Sequence, residues 1–125
     1  MTYVAQSELS FEEVSEKLEK VSAEKGFRVL AVHNVKETLA GKGFEIERLK
    51  IFEVCNASFA HKALQKDINV SLFMPCKIVV RPESDKTLIV LMRPSMISEM
   101  LPEAGLNEIA GEVEKQLIEV IDEVK

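Results

Sequence analysis

A chain of 125 residues, 46% hydrophobic and 30% charged, can bury one core, so residues 1–125 are expected to form a single compact domain. Its formal net charge is −5, no apolar run nears the roughly 20 residues that span a bilayer, and MTYVAQSELS lacks the basic head and apolar centre of a signal peptide. Together with one tyrosine, no tryptophan and no basic face, this excludes a membrane-spanning protein and a nucleic-acid binder, and points to the cytoplasm.

Tyr3 to Gln6 alternate as a half-buried strand does. Ser10-Phe11-Glu12-Glu13 then reads as a capping box, with Leu9 and Val14 placed to staple the helix start. Phe11, Val14, Leu18 and Val21 give that helix one apolar stripe, and Gly26 ends it. Phe27 to His33 predicts a second strand, and Asn34 caps a short helix, Val35 to Ala40, that stops at Gly41. The Gly41-Lys42-Gly43 stretch follows a helix instead of opening one, so it reads as a turn and not a phosphate loop.

Leu49 to Val80 is the organising stretch: strand, helix, strand, with Cys55 and Cys76, the only two cysteines, at the boundaries. Asn56 is a strong N-cap for a helix over Ala57 to Lys66. Arg81 to Lys86 predicts a hairpin loop, and Thr87 to Met92 is apolar throughout, as in a strand covered on both faces or lying in mid-sheet. A short helix begins at Pro94-Ser95. From Asn107 a long one shows Ala110, Val113, Leu117, Val120, Ile121 and Val124 at helical spacing, fit to cover the sheet or to lie in a dimer interface.

The expected fold class is therefore α/β, α+β-like: a two-layer sandwich with a mixed five-stranded sheet and helices packed on it. Strands separated by helices are candidates for right-handed parallel crossovers, and the last two pair antiparallel.

The chemistry-bearing residues are few. Cys55 sits where a strand meets a capped helix, and the positive end of that helix would lower its thiol pKa. Packing as a small hydrophobe is the commoner fate of a free cysteine, and it is weighed ahead of reactivity for both. A disulfide is disfavoured by the expected compartment, and by geometry if the two strands run parallel; the second objection vanishes if they run antiparallel. Cys55, His61, Cys76 and Met74 match no metal-ligand spacing, so no metal is expected. His33 and His61 have no triad partners, and no motif names a cofactor or a catalytic residue. Met92, Met96 and Met100 read as core filling.

Cys55-Asn56 followed by Ala60, Ala63-Leu64 and Asp67, then Met74-Pro75-Cys76 before an apolar strand and Met92-Arg93-Pro94 after it, resembles the domain of unknown function 302 family. Ala57 stands where that family usually has proline, and Met74 where it usually has leucine. The resemblance covers nearly the whole chain. It implies a small prokaryotic α/β protein with no established activity, and it marks Cys55, Asn56, Pro75 and Cys76 as the candidate ligand or thiol site. Three functions then compete. The first is a small-molecule-binding module at the Cys55–Asn56 junction, where helix-end amides suit an anionic ligand. The second is an interaction protein, a homodimer formed through a sheet edge or the last helix. The third is a thiol-dependent redox or sulfur-transfer protein using Cys55.

Overall fold

The structure, a computed structural model, describes residues 1–125. The chain runs β1 (Thr2–Ser7), α1 (Phe11–Glu24), β2 (Arg28–Asn34), α2 (Val35–Ala40), β3 (Lys50–Cys55) and α3 (Ala57–Lys66). After a 3-10 helix (Ile68–Phe73) come β4 (Cys76–Glu83), β5 (Lys86–Met92), α4 (Ser95–Met100) and α5 (Asn107–Val124). The strands form one sheet in the order β1-β5-β4-β3-β2, with helices packed on it in an α+β arrangement.

Local signals account for most boundaries. The Ser10 hydroxyl accepts from the Glu13 amide at 3.1 Å while the Glu13 carboxylate accepts from the Ser10 amide at 3.2 Å, closing the capping box. After α1 the backbone reverses through Gly26, whose φ of +85° costs a residue without Cβ little. Gly43 shares that φ in the turn after α2, so the Gly-Lys-Gly stretch is indeed a turn. The loop after β4 is shorter than the sequence suggests, because β4 and β5 pair out to Glu83 and Lys86. Only Ser84 and Asp85 turn the chain, with Ser84 at φ +53°. Pro82 is tolerated inside β4 because β3 stops pairing at Val80 and leaves that stretch a neighbour on one side only.

The sheet is not mixed. Every neighbouring pair is antiparallel. The reason lies in the connection from β3 to β4. The ten residues of α3 carry the chain about 15 Å away at 1.5 Å each. The six-residue 3-10 helix then brings it back about 12 Å at roughly 2 Å each, so β4 starts beside the end of β3. Sequence periodicity missed that return. β1 and β2 do run in the same direction, but at opposite edges, with α1 crossing the whole sheet between them.

One face of the sheet holds the core. Ala5, Phe52, Val54, Ile78, Val80, Ile89 and Leu91 meet Phe11, Val14, Leu18 and Val21 of α1 and Val113, Leu117, Val120, Ile121 and Val124 of α5. The buried stripe of α5 is used in this way, so α5 covers the sheet. A smaller cluster, Ala63, Val70 and Leu106, joins α3 and the 3-10 helix to the start of α5. The three methionines are not core filling: Met92 is 36% and Met100 58% exposed, and Met96 is half-buried. No helix is long and apolar enough to cross a membrane.

Candidate functional site

The antiparallel register sets Cys76 level with Val54, so Cys55 and Cys76 are near neighbours on adjacent strands. Successive side chains on a strand alternate faces, however. Cys76 shares the inner face with Val54 while Cys55 starts from the other, and both remain free thiols although the antiparallel pairing removes the geometric objection to a bridge.

Between this end of the sheet and the helices lies a cavity of about 70 Å³, or about 590 Å³ with its open mouth counted. Phe27, Val54, Cys55 and Cys76 form its sheet wall. Asn56, Phe59, Ala60 and Ala63 come from the α3 side, and Val70, Phe73 and Met74 from the 3-10 segment. Pro94, Ile97, Leu106, Ile109, Ala110 and Val113 close it from α4 and α5. Fifteen of these seventeen residues are hydrophobic, and Asn56 is the only one with a strongly polar side chain. The space exists because Ala60 and Ala63 on α3 and Ala110 on α5 end at Cβ where larger side chains would meet.

Asn56 is already committed. Its side-chain oxygen accepts from the Phe59 amide at 3.1 Å, capping α3, and its side-chain nitrogen donates to the Gly26 carbonyl at 3.0 Å. It thereby ties the turn after α1 to the start of α3. A Cβ added at Gly26 would meet that nitrogen at 3.4 Å, an ordinary contact, so it is the φ of +85° and not crowding that calls for glycine there. The helix-end amides that an anion would seek are partly taken by the protein itself.

Burial pushes the Cys55 thiol above its ordinary pKa. For Cys76, burial is again the main cause, the neighbouring Cys55 adds to it and Lys77 opposes it, leaving the thiol pushed up to about 11. The expected lowering at the helix end does not occur: loss of hydration outweighs what a partly used helix terminus supplies.

Of the signature residues, Cys55, Asn56 and Cys76 line one cavity; Pro75 is not part of its wall. Pro75 follows a cis peptide bond from Met74, and its carbonyl accepts from Lys77 Nζ at 3.5 Å. Asp67 caps the 3-10 helix by accepting from the Asn69 amide at 2.8 Å. His61 is exposed and outside the cavity, and His33 stands 3.5 Å from Glu53 at the far side of the sheet. Sequence reading missed Phe27, Phe59 and the α4–α5 wall. It also missed the latch that positions α4: Glu114 accepts from the Ser95 amide at 3.0 Å and from Arg93 at 3.2 and 3.3 Å. Burial alone would raise the Glu114 carboxyl, but the bonds from Ser95 and Arg93 prevail and hold it below the usual carboxylate range. The spacing of Ala60 and Ala63, one turn apart on α3, was the one available sign of open space.

The model of the domain of unknown function DUF302 matches residues 3–124. The chain is also similar to the crystal structure of an uncharacterized conserved DUF302 protein from Bacillus stearothermophilus, with 34% identity over 99% of this chain and 98% of that one, and a TM-score of 0.94. No curated protein matches it. With its Cys-Asn and Met-Pro-Cys segments meeting at one cavity and a family match over nearly its full length, the chain belongs to the DUF302 family.

Proposed function

We propose that this protein is a small-molecule-binding module whose ligand is apolar and sits in the cavity beside the Cys55–Asn56 junction. The observation that carries the reading is the lining: hydrocarbon almost throughout, with two neutral thiols and one polar side chain at its edge. The space is about 70 Å³ and opens to the surface, where a purely structural core would pack side chains. Apolar pockets with few polar groups are what small ligands occupy. The lining favours such a ligand over an anion held on helix-end amides. Thiol chemistry at Cys55 is the weaker alternative, because burial keeps the sulfur protonated at neutral pH.

The test is thermal unfolding with benzene and with a series of medium-chain alcohols as probes. A ligand at ten times its dissociation constant stabilises by about 1.4 kcal/mol, so Tm rises by several degrees. Ala63→Leu fills the space and abolishes the rise. An unchanged Tm across the whole series, or an equal rise in the Ala63→Leu variant, refutes the reading.

A further inference from the structure

We propose that Cys55 and Cys76, with the thioether of Met74 beside them, form a binding site for one monovalent copper ion on the wall of the cavity. The sulfurs come together only in the fold. The register puts Cys76 opposite Val54, the residue before Cys55. Strands about 4.8 Å apart and a rise of about 3.4 Å per residue then leave the two Cα atoms about 6 Å from each other. Cys55 is the last residue of β3, at the rim of the sheet, and although it starts from the other face of the pleat it lines the same cavity as Cys76. Met74, two residues before Cys76, lines it as well. The two thiols also sense each other, since Cys55 adds to the upward push on Cys76.

The donor set selects the ion. Thiolate and thioether are soft ligands that suit monovalent copper, whereas calcium, magnesium and manganese take oxygen. The cavity wall carries no carboxylate and no imidazole, and nowhere do three His, Cys, Asp or Glu side chains gather to hold an ion. The four ligands of a structural zinc site are therefore not met. Monovalent copper, a d10 ion with no need of a full tetrahedral shell, is satisfied by so small a set of sulfurs.

Binding breaks two S–H bonds and forms two Cu–S bonds. Two protons leave to solvent, and neither sulfur nor copper changes oxidation state. One cation held by two thiolates leaves a single negative charge at the wall. Lys77, whose charge already favours the Cys76 thiolate, and the amide end of α3 next to Cys55 offset that charge. Copper uptake is measured directly and not through Tm, so it is decided separately from the binding of an apolar ligand.

The test is anaerobic titration of the reduced protein with Cu(I) in competition with the chromogenic chelator bathocuproine disulfonate, on the wild type, Cys55→Ser, Cys76→Ser and Met74→Leu. The wild type is expected to take one copper per chain. Burial keeps both thiols protonated near neutral pH, so between about pH 6.5 and 8 the affinity rises by about two powers of ten per pH unit, one for each proton released. Either serine variant lowers the affinity at least about a hundredfold and halves that slope, and Met74→Leu lowers the affinity about tenfold. Circular dichroism checks that each variant is folded, and Cys55→Ser, at a half-buried position, keeps the test open even if Cys76→Ser does not fold. A wild type that yields copper to the chelator as readily as Cys55→Ser does overturns the site. A slope of one proton overturns it equally, since a single thiol then holds the ion, and an unchanged affinity in Met74→Leu overturns the place of the thioether in it.

Discussion

The Cys76 thiol, packed against the core and raised to about 11, gives the site a measurable signature. In the unfolded chain the same thiol ionises near its ordinary value, so below that pH the folded state keeps its full stability. As pH climbs from there toward 11 the unfolded state is progressively favoured, and stability falls by an amount on the order of 2 kcal/mol. Cys76→Val removes the titration. Urea unfolding followed between neutral pH and pH 10.5 is expected to show the loss in the wild type and a much flatter profile in the variant; parallel profiles would mean that Cys76 ionises freely in the fold. The sequence marked both cysteines and Asn56 as belonging together, and this was legible because a strand end, an N-cap and a helix start are local features. The direction of the pKa shifts was not legible. It depends on what buries the sulfurs, and part of that wall, Ala110 and Val113, arrives from α5 much later in the chain.

Elements were readable wherever a side chain caps its own helix. Ser10, Asn34 and Asn56 each accept from an amide three residues on, as their positions suggested. The 3-10 helix was not, because Ile68 to Phe73 carries no repeat of 3.6 residues, and without it the path from β3 to β4 pointed to the wrong strand direction. Asn56 does more than cap, since its second bond reaches Gly26 across thirty residues of sequence. Asn56→Ala loses both bonds and is expected to cost about 2 kcal/mol, whereas Asn56→Asp keeps the acceptor for Phe59 and loses only the donor, costing about 1 kcal/mol. Chemical denaturation of the two variants separates the contributions. Equal losses would show that the tie to Gly26 carries all the energy and the cap none.

On the scale of the molecule, the sheet is the divider: α1 and α5 cover its inner face, and the cavity lies at one end of that same side. The cavity is built on the inner side, at the end of the sheet where β3 and β4 meet α3, α4 and α5, while the apolar row of Val4, Val90, Val79 and Ile51 occupies the outer side. The two share the sheet backbone, with the Val54–Cys76 pair forming the cavity's wall two residues along β3 and β4 from Phe52–Ile78 in the core. That backbone is held on both sides by antiparallel ladders and gives a ligand little scope to move the outer row. Perturbations at sites without shared side-chain partners add to within about 0.5 kcal/mol. The ligand-induced rise in Tm should therefore be the same in Val4→Lys as in the wild type. If the rise instead differed between the two, the sheet would have to transmit a change from its outer to its inner face. Thermal unfolding of both proteins with and without octanol decides between a rigid divider and a coupled one.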